Sequence, residues 1–285
     1  MQRFDLLGDL PGPCTTTVLE ASAGTGKTFA LAGLVTRYLA ETATTLDQML
    51  LITFSRAASR ELRERVRGQI VDAVAALENQ PVETTDLIEH LLQGADDDRA
   101  RRLARLRDAL SGFDAATIAT THEFCGLVLK SLGVASDSEA GVTLVESLDE
   151  LVVEIVDDIY LADFGRQDDD PPLTYRDALE LARAVVGDPC AELRPENPDP
   201  ETEAADRLGL VTKVVAELEH RKRRMGILGY DDLLSRLAKA LEGEDSPARD
   251  RMRQRWPIVM VDEFQDTDPV QWQVIDRAFS GHSTV

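Results

Sequence analysis

The chain is poor in the residues that mark secreted, membrane-spanning or metal-built proteins. Its three cysteines, Cys14, Cys125 and Cys190, are scattered over 285 residues and form no Cys-x-x-Cys pair. They read as free thiols of a reducing cytoplasm, not as zinc or iron–sulfur ligands. No apolar run approaches the roughly 20 residues of a membrane span, so no membrane partner is expected. Met1 to Leu10 carries charge and lacks the ~7–15-residue apolar core of a secretory signal. Positive charge is short as well: 31 Lys and Arg stand against 52 Asp and Glu, a net charge of −21. A uniformly acidic surface would disfavour nucleic acid. The acid, however, is gathered in Asp96-Asp97-Asp98, Asp168-Asp169-Asp170 and the stretch Asp188 to Asp206, which read as loops or solvated faces. Local distribution of charge therefore decides. A hydrophobic content of 43% is ordinary for a globular chain, and the length suits one large domain or two smaller ones.

Four short β-branched and aliphatic runs read as buried strands: Thr16–Ala21, Met49–Phe54, Ala116–Thr121 and Ile258–Val261. Each is too short for a helix and is followed by helical periodicity, an order that predicts a parallel α/β sheet. Each also runs into an unusual polar motif. Ligands of open α/β sheets bind at the carboxyl ends of the strands, so the four motifs are expected to share one crevice. From Gly126 to Arg255 helical patterns dominate. Ser147-x-x-Glu150 reads as a capping box, and Gly165–Pro172 and Gly187–Ala205 read as loops. This block is expected to be a helical insertion ahead of the last strand.

Leu19-Glu20-Ala21-Ser22-Ala23-Gly24-Thr25-Gly26-Lys27-Thr28 fits the phosphate-binding loop pattern, with Ala21 in place of the first Gly. Backbone N–H groups from Ala23 to Thr28 and a helix N-terminus suit phosphate. Lys27 is expected on the β- and γ-phosphates of ATP, and Thr28 on Mg²⁺. After the last strand come Asp262-Glu263-Phe264-Gln265-Asp266-Thr267. Asp262 is a candidate Mg²⁺ ligand, Glu263 a general base for water, and Gln265 a γ-phosphate sensor. Asp268-Pro269-x-Gln271 reads as the start of the next helix.

Thr53-Phe54-Ser55-Arg56 ends the second strand, and Arg56, Arg60, Arg63 and Arg67 share one face of the helix after it. An aromatic beside hydroxyls and a cationic face suits single-stranded DNA through stacking and phosphate contacts. The alternative is a solvated Arg face paired with Glu61 and Glu64. Thr120, His122 and Phe124 at the third strand end are further candidates for contacts to a base or phosphate. Asp231 is expected to cap a helix with Leu233, Leu234 and Leu237 on its apolar face. Arg221-Lys222-Arg223-Arg224 just before it reads either as a phosphate track or as a solvated helix end.

Taken together, Ala21–Thr28, Thr53–Ala58 with Glu61, Leu62 and Arg65, Thr120-x-His122-x-Phe124, and Val261–Asp268 resemble the motifs of UvrD-type superfamily 1 helicases, in the same order. Leu19–Phe29 and Asp262–Pro269 are most similar to the helicase–nuclease branch of that family. The resemblance implies a RecA-like P-loop ATPase domain, termed 1A, over residues 1–128 and 254–285, incomplete at its C-terminal side. It implies a mostly helical 1B insertion over 129–253. It also implies ATP-driven 3′→5′ movement on DNA, entry at duplex ends, two partner subunits, and a role in double-strand-break repair. Glu123 stands where many relatives carry Gly, and an acid there repels phosphate unless it points away. The later helicase motifs and a nuclease domain are absent, so the chain alone is expected to bind MgATP weakly and hydrolyse it little. A UvrD-like or AddA-type helicase, or a non-catalytic nucleotide- or partner-binding module, are the other readings.

Overall fold

A computed structural model describes residues 5–20, 26–132, 143–145, 147–165, 171–188, 192–200, 202–243 and 245–285. Ala21 to Thr25, Asp168 to Asp170 and Cys190 lie outside the described residues. In chain order the elements are α1 (Lys27–Glu41), β1 (Met49–Thr53), α2 (Arg56–Leu77), α3 (Asp86–Leu92), α4 (Asp96–Ser111), β2 (Thr117–Thr120), α5 (Thr121–Leu132) and β3 (Thr143–Leu144). There follow α6 (Asp149–Phe164), α7 (Tyr175–Val186), α8 (Glu203–Met225), β4 (Ile227–Leu228), α9 (Tyr230–Ala240), α10 (Pro247–Arg255), β5 (Ile258–Val261) and α11 (Pro269–Phe279). They form two compact units: residues 1–132 with 234–285, and residues 133–233.

The first unit is built on a parallel sheet of order β2-β1-β5. All of β1 is buried, as expected of a central strand covered on both faces. The strand period of two sorts its side chains. Met49, Leu51, Ile118, Ile258 and Met260 join the core built by α1, α2 and α4. The alternate positions face the other side, where Trp256 Nε1 donates to Thr117 Oγ1 at 3.4 Å. There Phe124 meets Trp256 edge-on, with ring centroids 5.5 Å apart, and Phe279 at 6.3 Å. Register places Thr53 beside Thr120 and Ile52 beside Val261, so three strand ends open on one edge of the sheet.

Thr16–Glu20, the described part of the Thr16–Ala21 run, differs from the expected buried strand. Thr15–Val18 is exposed, Val18 to 69%. Its ladder contacts are two bonds with Val285, from Thr17 N to Val285 O and from Val285 N to Thr15 O. Thr284 in turn bridges to β5. Among its described residues the segment thus lies beyond Thr284–Val285 and pairs directly with neither β1 nor β5. Its composition matched that of the true strands, but two hydrogen bonds on one side do not bury it.

Of the two readings of Asp96-Asp97-Asp98, the solvated face holds: the three form the largely exposed first turn of α4, where carboxylates suit the positive end of the helix dipole. Two further expectations change. Ser147 does not close a capping box. Its Oγ accepts from Asp149 N at 3.1 Å, and Leu148 holds the N-cap position without a side-chain cap. Residues 234–253 pack with the sheet-bearing unit: Arg277 donates to Ala238 O and Arg253 to Ala278 O, and Leu234, Leu237, Leu241 and Met252 are buried.

The second unit packs α6, α7 and α8 around Val152, Ile155, Val156, Ala178, Val214 and Leu218. A two-residue parallel ladder joins β3 to β4. Within it, Asp232 ties down the start of α9. Asp232 Oδ2 accepts from Gly229 N at 2.7 Å, and Oδ1 accepts from Lys222 Nζ at 2.7 Å.

Candidate active site

The site begins at the N-terminus of α1. Gly26 holds φ +90°, a left-handed conformation that glycine adopts without strain. It supplies no side-chain cap, and the first turn contains no acidic residue. The N–H groups of that turn have no intrahelical partners, and the helix dipole adds positive potential. Lys27 opens the helix. Its Nζ donates to Glu263 Oε2 at 2.8 Å, across 236 residues of sequence.

Glu263 follows β5 directly. It sits in the left-handed region at φ 53°, which turns its carboxylate back toward α1. Gln265 Nε2 donates to the same oxygen, Oε2. These two hydrogen bonds, from Lys27 first, hold the Glu263 carboxyl below its ordinary range, and the Glu263 partner raises Lys27 in turn. Asp262 is buried; its Oδ1 accepts from Glu263 N at 3.0 Å. Burial pushes the Asp262 carboxyl above its usual range, and the backbone hydrogen bond and Lys27 oppose this only in part. Asp268 caps α11 by accepting from Val270 N and Gln271 N, with Pro269 in the first turn, as the sequence predicts. Phe264 is 44% exposed and meets Trp272 edge-on at 5.3 Å.

These residues fit a nucleoside triphosphate with Mg²⁺. A helix start without an acidic residue and a lysine suit phosphate, and a buried carboxylate raised by burial gains most from a nearby cation. Thr28, partly buried in the first turn of α1, adds a hydroxyl of the kind Mg²⁺ accepts. Among the described residues no group of three or more His, Cys, Asp or Glu gathers as a metal cluster. A metal here would rely on few protein ligands plus phosphate oxygens, which is the habit of Mg²⁺.

The second surface lies at the tips of β1 and β2. Phe54 is 60% exposed, as a stacking residue must be. Arg56 is largely exposed, and its Nε lies 3.5 Å from Glu123 Oε1. His122 is partly exposed at the start of α5.

Three expected contact residues are turned inward instead. Thr53 is buried, and its Oγ1 lies 2.6 Å from Ser59 Oγ. Thr120 is buried and caps α5. Phe124 is 0% exposed, in the cluster with Trp256 and Phe279, and is closed to a base. Ser55 caps α2 by accepting from Ala58 N at 3.1 Å. The arginine stripe divides likewise. Arg63 donates to the carbonyls of Ala116 and Ile118, and Arg67 lies 5.4 Å over the Phe113 ring.

Sequence reasoning treated Glu123 only as a repulsive acid. In the structure Glu123 Oε2 accepts from Thr120 N at 2.9 Å while Thr120 Oγ1 accepts from Glu123 N at 3.3 Å. Thr120-x-x-Glu123 is thus a capping box, a signal present in the sequence. The basic run at the end of α8 divides too: Arg221 and Lys222 are drawn into ion pairs, while Arg223 and Arg224 stay exposed. Arg221 pairs with Asp158 at 2.5 Å and with Glu217 at 2.8 Å, and Lys222 is buried between Glu219 and Asp232.

Comparison with known proteins bears on the same elements. The chain is 72% identical over its whole length to the RecBCD enzyme subunit RecB of Mycolicibacterium smegmatis. It is 69% identical to that of Mycobacterium tuberculosis. Against RecB of Escherichia coli, identity is 27% with 91% of this chain covered and 32% of that protein. The chain spans 26% of each mycobacterial relative. The family described as the UvrD/REP helicase N-terminal domain matches residues 10–285, which takes in the α1 start, the strand tips and the β5 carboxylates. The chain belongs to that helicase family.

Proposed function

We propose that the chain is the ATP-binding and single-strand-contacting N-terminal portion of a RecB-type DNA helicase. The observation that carries this reading is the meeting of Lys27, at an uncapped helix start, with Glu263, at the end of β5. In this reading α1 and Lys27 bind the β- and γ-phosphates, with backbone groups of Ala21 to Gly26 completing the loop. Thr28 and Asp262 hold Mg²⁺, which when bound supplies charge shielding between those phosphates. Glu263 takes the proton of the attacking water. While paired with Lys27 it is a weak base, because the pairing lowers its pKa. Transfer of Lys27 to phosphate frees the carboxylate for that task. Gln265, bonded to Glu263, is placed to respond to the same change.

Phe54 and Arg56 contact single-stranded DNA, with His122 beside them, and residues 133–233 form the 1B insertion. In the longer protein these parts serve 3′→5′ movement from duplex ends in double-strand-break repair, together with RecC and RecD in the cytoplasm. Identity of 69–72% to mycobacterial RecB supports this placement.

Titration of a fluorescent ATP analogue with Mg²⁺ tests the site. Binding by the chain is expected to be lost in Lys27→Ala and retained in Glu263→Gln, with little turnover in either. Equal binding by the parent chain and Lys27→Ala would sink the assignment.

A further inference from the structure

We propose that Glu123 competes with nucleic-acid phosphate for the Arg56 guanidinium and so sets how tightly the β1 tip holds a single strand. The inference rests on the reading of Phe54 and Arg56 as a strand contact. Its basis is the division of labour between the two Glu123 oxygens. Oε2 is held by Thr120 N at 2.9 Å, inside the capping box that starts α5. Oε1 faces Arg56 Nε at 3.5 Å. The cap fixes the carboxylate against the strand end, so it cannot swing away from Arg56 without unmaking the helix start. Register aligns Thr53 with Thr120 and brings the two tips side by side.

The side chains of Arg56 and Glu123 are 61% and 43% exposed, so phosphate can reach the same guanidinium. Exposed pairs of this kind are weak. Glu123 therefore tunes the contact and does not block it. The cap itself does not require the charge, since a capping box accepts Gln as readily as Glu. A negative charge at this position thus has an effect separable from helix capping.

The test is binding of an oligothymidylate to the chain, followed by fluorescence anisotropy over a range of salt concentrations. Glu123→Gln keeps the cap acceptor and removes the charge. It is expected to bind about 1.5- to 5-fold tighter than the parent chain. Its salt dependence should steepen by up to about 0.7 in log–log slope, as one more phosphate is neutralised. In an Arg56→Ala background the gain is expected to vanish. Unchanged affinity in Glu123→Gln overturns the inference, and so does an equal gain in the Arg56→Ala background, which would mean general repulsion. If Phe54→Ala and Arg56→Ala both bind as the parent chain does, the strand-contact reading falls and the inference with it. Helix content by circular dichroism checks that each variant has kept its fold.

Discussion

At the scale of single residues, the two adjacent carboxylates carry opposite perturbations. Burial raises Asp262, while Lys27 and Gln265 lower Glu263. The signs lead to different pH behaviour. Asp262 binds a proton more readily folded than unfolded, so its charge opposes folding at neutral pH, and that cost is relieved as pH falls through its raised value. Glu263 contributes stability above its ordinary value near 4.5, and loses it as pH falls through the lowered folded value. Asp262→Asn should therefore raise the melting temperature of the ligand-free chain, by about 2 °C, while weakening the Mg²⁺ dependence of nucleotide binding. A thermal melt with and without Mg²⁺ reads both, and a lower melting temperature would contradict the burial argument. For Glu263, carboxyl titration by NMR in Lys27→Ala is expected to show the pKa moving up toward its ordinary value. No movement would mean that the ion pair is not what holds it low.

At the scale of elements, α5 and α9 show how a motif can be legible in type and misread in role. Thr120-x-His122-x-Phe124 follows a strand, which is where sequence logic seeks ligand contacts. The helix begins at once, though, and Phe124 falls on the face turned toward Trp256 and Phe279. Phe124→Ala is expected to cost about 3–5 kcal/mol of stability in denaturant unfolding, a core penalty that a surface stacking residue would not show. At the α9 start the acidic pair was visible, but the bonds of Asp232 to Lys222 and to Gly229 N were not. Lys222 sits where burial lowers its pKa, and Asp232 and Glu219 more than restore it. Asp232→Ala should cost roughly 1.5–3 kcal/mol, because it leaves a buried ammonium short of a partner and Gly229 N without its acceptor. The strands β1 and β5 were readable as short aliphatic runs, and β2 from its β-branched threonines and isoleucine. Thr16–Ala21 carried the same composition without the same neighbours, and nothing local distinguishes the two cases.

At the scale of the whole molecule, each unit has its own apolar core, one around β1 and α2 and one among α6, α7 and α8. Val214→Ala, in the second core, is expected to lower only one of two calorimetric transitions. A single transition shifting as a whole would show the two units unfolding together. The division into a sheet unit and a helical unit was visible in the sequence. The return of residues 234–253 to the sheet unit was not, because its evidence lies in carbonyl contacts made by Arg253 and Arg277.

The pairing of Met49 with Ile258 has a consequence for the time course of folding. β1 is complete early in the chain, yet one of its two neighbours is roughly two hundred residues away, beyond the entire helical unit. Closing so long a loop is entropically slow, and contacts of this separation form late. During synthesis β1 must wait with one edge bare until β5 emerges, although β2 and the three-helix core are already available. In refolding, helical signal should return before Trp256 fluorescence reports a sealed sheet. The interval between the two is when the chain has most need of a chaperone.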